Sequence, residues 1–139
     1  MAQEITQMYS SAVLAFLGDS VYEINIRSRI IREFKGNAGS LNSRAKALTN
    51  AKAQSQMVEA LKDVFTEEET AVYKRGRNFK SPSVPRSCSV GEYRRATGLE
   101  ALMGYLFILG RQERIDELIS TGIELLNEQK NENGTETER

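Results

Sequence analysis

The sequence predicts an all-α domain of about five to seven helices, and three observations carry that expectation. Apolar residues recur at spacings of three and four over most of the chain, whereas alternation with a period of two is nearly absent. Thr66 followed by Glu69, and Ser89 followed by Glu92, each fit a capping box that opens a helix. Both prolines fall within residues 80–90, so no other stretch is interrupted by one.

The first long helix is expected over residues 10–34, SSAVLAFLGDSVYEINIRSRIIREF, and the rest of the chain is organised around it. At about 100° per residue, Val13, Leu14, Leu17, Val21, Ile24 and Ile31 share one arc, the expected core stripe. The opposite face carries Asp19 and Glu23, but also Ala12, Phe16, Ile26 and Ile30. A helix apolar nearly all round is normally buried on both sides. Carboxylates on its second apolar face would lose hydration, so each needs a counter-charge, a hydrogen-bond set or a metal.

KGNAGS (residues 35–40) reads as a loop, with Gly36 and Gly39 as breakers and Ser40 as the expected cap of the next helix. From Leu41 to Phe65 the apolar positions suit one or two helices. Thr66 then opens TEEETAVYKRGRNF, which has acids in its first turn and Lys74, Arg75 and Arg77 near its end, as the helix dipole favours. Residues 80–90, KSPSVPRSCSV, are expected to be irregular. Ser89 opens another helix, whose segment ATGLEALMGYLFIL (residues 96–109) holds a single charge, Glu100. Gly98 and Gly104 within it each cost roughly 1 kcal/mol relative to alanine, which suits a close approach by another helix. Gly110 punctuates, residues 111–129 form a last amphipathic helix, and residues 130–139 are expected to be a polar, disordered tail.

Composition bounds the chemistry. The 139 residues support one domain, here residues 1–129, in a chain that is 40% apolar and 27% charged. There is no histidine, which removes histidine acid–base chemistry and most zinc or iron sites. Cys88 is the one cysteine, so no internal disulfide is possible. No apolar run is long enough to span a bilayer, and MAQEITQMYSS lacks the features of a signal peptide, so the expected compartment is the cytoplasm. The five tyrosines show no stacking pattern of a single-strand binder.

Formal net charge is zero, yet the charge is unevenly placed. Between residues 74 and 95 stand Lys74, Arg75, Arg77, Lys80, Arg86, Arg94 and Arg95 against one acid, Glu92. That run ends little more than a turn before Glu100. Two near-apolar helices, each with a lone carboxylate, can cross so that Asp19 and Glu100 meet. Carboxylates in a dry place repel unless a cation lies between them, and hard oxygen ligands suit Mg²⁺ or Mn²⁺. Glu23, one turn from Asp19, is a weaker third ligand that could equally pair with Arg27. Basic residues beside such a centre would hold a phosphate polymer without reading its sequence, and Asn78 and the loop serines could reach ribose 2′-hydroxyls.

These residues carry a resemblance. LAFLGDSVYE (residues 14–23) is similar to the signature helix of the ribonuclease III family, and TGLEALMGYLF (residues 97–107) to its second catalytic segment. RGRNFKSPSVPR (residues 75–86) resembles the basic loop of the Mini-ribonuclease III subfamily. The resemblance covers about residues 8–128. It implies a homodimeric, Mg²⁺-dependent endoribonuclease, with Mn²⁺ as a substitute ion, that cuts double-stranded RNA and leaves 5′-phosphate ends. It implies Asp19 and Glu100 as catalytic metal ligands, Phe16 as a side chain packed into the other subunit, and 23S ribosomal RNA precursor as substrate. It implies an enzyme without a separate double-stranded RNA-binding domain, whose RNA affinity comes from the catalytic dimer. The alternative is a non-catalytic RNA-binding or ribosome-assembly module of the same fold. Ala15 and Thr97 stand where the family pattern has acids, so the resemblance does not carry over a full four-carboxylate cluster or fix the number of ions.

Overall fold

The computed structural model describes the backbone of residues 2–81 and 83–137 and the side chains of residues 4–81 and 83–132. Seven helices and no strand occur among the described residues: α1 (Ala2–Met8), α2 (Ser11–Glu33), α3 (Ala38–Thr49), α4 (Ala51–Leu61), α5 (Glu67–Asn78), α6 (Val90–Ile108) and α7 (Gln112–Thr137). The all-α expectation is met.

Local chemistry sets most of the boundaries. The Ser10 hydroxyl accepts from the Val13 N–H and opens α2. Both expected capping boxes close, Thr66 with Glu69 on α5 and Ser89 with Glu92 on α6. Asn50 ends α3 by donating its N–H to the Lys46 carbonyl, and its side chain accepts from Ala53 to open α4. One residue thus makes the corner that divides residues 41–65 into two helices. Gly110, at φ 73°, turns the chain from α6 into α7 in a left-handed conformation that suits glycine.

Three boundaries differ from expectation. Helix α3 begins inside the expected loop, because the Asn37 side chain, not Ser40, accepts from a backbone N–H and caps it. A first helix, α1, precedes the signature helix, with Ile5 and Tyr9 packed on the core. The backbone of the expected tail is helical as far as Thr137, since Glu128, Gln129 and Lys130 favour helix and no proline stops it. Glu138 and Arg139, like Pro82 of the expected loop, lie outside the described residues.

Helix α6 is the axle, packing against α1, α2, α4, α5 and α7. Ala96, Leu99, Ala101, Leu102, Met103, Tyr105 and Leu106 are all buried, which explains an apolar sequence with no polar face. Its tightest partner is α2. A methyl group on Gly18 would strike the Glu100 carbonyl, and one on Gly104 would strike the Leu14 carbonyl. The two backbones therefore touch at paired glycines, with α5 making a similar approach at Gly76 and Gly98.

The core face of α2 is not the one its wheel suggests. Leu14 and Val21 are buried, but so are Ala15, Gly18, Tyr22, Ile26 and Ile30, whereas Val13, Ile24 and Ile31 are exposed. The buried row Leu14–Gly18–Tyr22–Ile26–Ile30 advances by four, and it is selected because only that side offers a glycine to α6. Side-chain size, more than hydrophobicity, decides which apolar face packs.

Candidate active site

The glycine crossing sets Asp19 next to Gly18 on α2 and brings it to Glu100 on α6. The two carboxyl groups lie within hydrogen-bonding reach of each other. Burial first, then that contact and the charge of Asp19, push the Glu100 carboxyl up to about 9, while the neighbouring Gln54 side chain pulls the other way. Asp19 is exposed and Glu100 half-buried, so one faces solvent and the other backs onto the core.

Both line a hollow of about 240 Å³ together with Ala12, Ala15, Phe16, Phe79, Ser81, Tyr93 and Thr97. Ala15 and Thr97, the two departures from the family pattern, thus stand in the same hollow as the two retained acids. The Thr97 hydroxyl donates to the Tyr93 carbonyl at 3.0 Å, which leaves its oxygen free to accept. Phe79 and Ser81 bring the start of the basic loop to the rim.

The donor set can be tested against a divalent ion. Burial and the nearby Asp19 charge raise the Glu100 carboxyl to about 9, and a cation between the two groups would offset the cost of ionising both. Mg²⁺ is commonly held by one or two carboxylates and keeps several waters. The pair fits such an ion. It does not fit a larger cluster, because no group of three or more histidine, cysteine or acidic side chains is placed to hold a metal among the described residues. Glu23 is paired with Arg27 at 2.8 Å and faces a neighbouring hollow with Leu17, Ser20, Ile24 and Phe107.

The basic run takes no part in the ion pairs of the described residues. Arg27, Arg29, Lys62, Arg111 and Arg114 all hold carboxylates in ion pairs. Among the described residues, Lys74, Arg75, Arg77, Lys80, Arg86, Arg94 and Arg95 make no ion pair. Lys74, Arg75, Asn78, Lys80, Arg86 and Arg94 are exposed. Arg77 lies over the Tyr73 ring, 5.8 Å from its centroid, and donates to Asn78; Arg95 donates to the Ser55 hydroxyl at 2.6 Å. Phe16 is 83% exposed.

Sequence reasoning missed Gln54, Phe79 and Tyr93, while Ser81, one of the loop serines expected to reach ribose, does line the hollow. Gln54 had a legible signal: it heads the stripe Gln54, Met57, Val58, Leu61 at helical spacing, a polar residue on the buried face of α4. The others belong to a loop and a helix start, whose placement beside Asp19 depends on the tertiary fold.

The family described as "Ribonuclease III domain" matches residues 12–111. A Mini-ribonuclease 3 of Thermoanaerobacter sp. (strain X514) is 38% identical over 119 residues, 86% of this chain and 84% of that protein. One from Clostridium tetani is 38% identical over 133 residues, 95% of this chain and 87% of the relative. A crystal structure of a Fusobacterium nucleatum protein superposes with a TM-score of 0.76 at 40% identity, covering 84% of this chain and 93% of that one. With this fold, these two carboxylates at a glycine crossing and these relatives, the chain belongs to the ribonuclease III family, in its Mini-ribonuclease 3 branch.

Proposed function

We propose that this ribonuclease is a Mg²⁺-dependent endoribonuclease that cuts double-stranded RNA as a homodimer in the cytoplasm, leaving 5′-phosphate ends. The observation that carries the reading is the Asp19–Glu100 pair in a hollow whose rim is the start of an unpaired basic run. Asp19 and Glu100 would hold the ion. Its chemistry there is Lewis-acid polarisation of the scissile phosphate and provision of a nucleophile at neutral pH.

The remaining work falls to the chain. Lys74, Arg75, Lys80, Arg86 and Arg94 hold the phosphate backbone, and Arg77 and Arg95, braced on Tyr73 and Ser55, present fixed cations. Asn78 and Ser81 offer hydrogen bonds to 2′-hydroxyls, the group that separates RNA from DNA. Thr97 supplies a neutral acceptor where the family pattern has an acid. Phe16 lines the hollow while 83% exposed, and Val13, Ile24 and Phe107 are exposed as well, which supports burial of apolar side chains between two copies. The substrate proposed within this reading, 23S ribosomal RNA precursor, rests on the subfamily resemblance.

A second reading, a non-catalytic RNA-binding module, is favoured by Ala15 and Thr97, which leave two carboxylates in the hollow. One experiment separates them. Purified protein is incubated with a perfect RNA duplex with and without Mg²⁺, and ends are mapped. Cleavage only with Mg²⁺ is expected; duplex binding with no cleavage at any Mg²⁺ or Mn²⁺ concentration would leave the second reading.

A further inference from the structure

We infer that Gln54 is a positioning residue that fixes the Glu100 carboxyl group for cation binding. The inference rests on the reading that Asp19 and Glu100 hold a divalent ion. Gln54 is 3% exposed and lies on the apolar stripe of α4 with Met57, Val58 and Leu61. Its Nε2 donates to the Thr49 carbonyl at 3.1 Å, in the last turn of α3. Its Oε1 is buried with no hydrogen-bond partner. The side chain lies within hydrogen-bonding reach of Glu100.

A buried amide with half its capacity unused costs about 1–3 kcal/mol, and a leucine or methionine would fill the stripe without that cost. Tying α3 to α4 does not require it either. Asn50 already makes that corner, and the Tyr22 hydroxyl donates to the adjacent Leu48 carbonyl at 3.0 Å. What an apolar side chain could not do is meet Glu100. Tyr22 also lies close enough to Glu100 to feel its charge. Two side chains anchored on consecutive carbonyls of α3 therefore stand near the buried side of Glu100, opposite the solvent that reaches Asp19.

Where a site holds an ion through two carboxylates, each must present its oxygens correctly, because no further ligand corrects an error. Groups that orient a ligand in this way are typically worth about 10- to 100-fold in metal affinity. Gln54 is suited to the task because Thr49 fixes the amide before any ion arrives.

The test is a calorimetric titration of Mn²⁺ into the full chain without RNA, for wild type, Gln54→Leu and Gln54→Asn. The asparagine keeps the amide but is one methylene shorter, so it cannot keep Thr49 and still reach Glu100. Both variants are expected to bind Mn²⁺ about 10- to 100-fold more weakly. Duplex cleavage by either should return as Mn²⁺ is raised, with the RNA concentration for half-maximal rate unchanged. A purely structural role would not give metal rescue. If the leucine variant loses its helical circular dichroism, the asparagine variant decides alone. Wild type that binds no Mn²⁺ overturns the ion-binding reading itself. Wild type that binds Mn²⁺, with a folded variant binding equally tightly, overturns the role of Gln54 and leaves that reading standing.

Discussion

At the residue scale, the chemistry concentrates in two carboxyls of unequal surroundings. Asp19→Asn keeps shape and removes a charge, so Mg²⁺-dependent cleavage should fall by more than the ~10²–10³-fold typical of one lost hydrogen-bond donor. Duplex binding in a gel shift should stay near wild type. Glu100→Gln should lose cleavage equally, but it carries a second signature. The Glu100 carboxyl is raised from 4.5 to about 9 in the folded chain. A group raised on folding contributes stability that is present below its unfolded pKa and lost as pH rises through its folded one. Metal-free wild type should therefore become less stable from pH 4.5 towards 9, the interval between those two values. Glutamine does not titrate, so the variant should lack that component of the decline in thermal denaturation. An identical pH profile in both proteins would remove burial of Glu100 from the account. Glu23→Gln should be mild, because Arg27 already takes that charge.

At the element scale, the site depends on how closely α2 and α6 approach. Alanine at 104 would gain roughly 1 kcal/mol of helix propensity. Its methyl group would meet the Leu14 carbonyl, which is backbone and cannot rotate aside. Overpacking of this kind costs about 1–3 kcal/mol, so Gly104→Ala should lower the thermal midpoint and part the two carboxyls. Its Mn²⁺ affinity, measured where the variant is still folded, should fall as well; wild-type affinity would mean the crossing does not set the site. The helices, caps and this crossing were legible because each depends on neighbours in sequence: Thr66 with Glu69, Ser89 with Glu92, a lone acid beside glycine in an apolar helix. The core face of α2 was not. Both of its faces are apolar, and the choice lies with α6, whose glycine at 104 receives Leu14 and Gly18. The start of α3 was missed for a local reason, since Asn37 and Ser40 are both good caps and only geometry selects one. Of the site, the carboxyl pair was readable from its dissonance with its surroundings. Phe79 and Tyr93 were not, because their place around the hollow is fixed by where the loop returns.

For the whole molecule, zero net charge conceals a division of labour. Outside the run, Arg27, Arg29, Lys62, Arg111 and Arg114 are held in ion pairs, Arg114 with the buried Glu69, which ties α7 to the start of α5. Lys74, Arg75, Lys80, Arg86 and Arg94 face solvent, their chain neighbours Phe79, Ser81 and Tyr93 line the hollow, and Phe16 lines it too while largely exposed. If its ring fills a pocket in a second copy, Phe16→Ala should weaken the dimer by roughly 3–5 kcal/mol. Light scattering at low micromolar concentration would show monomer, and a monomeric wild type with full activity would sink the interface. The basic run gives the most discriminating test, because it separates holding RNA from cutting it. Replacing Arg75, Arg77 and Lys80 together with alanine removes three cations that engage no carboxylate in an ion pair, so the fold should tolerate the change. Binding should weaken for every duplex sequence alike, since phosphate contacts carry no sequence information. The dependence of log affinity on log salt should flatten by at most about 0.9 for each phosphate that the variant no longer neutralises, taking RNA duplexes as comparable to B-DNA. Asp19 and Glu100 are untouched, so the maximal cleavage rate at saturating RNA should change far less than the RNA concentration needed to reach it. If the run serves only to cap a helix and solvate a loop, the triple variant will bind and cut like wild type at every salt concentration.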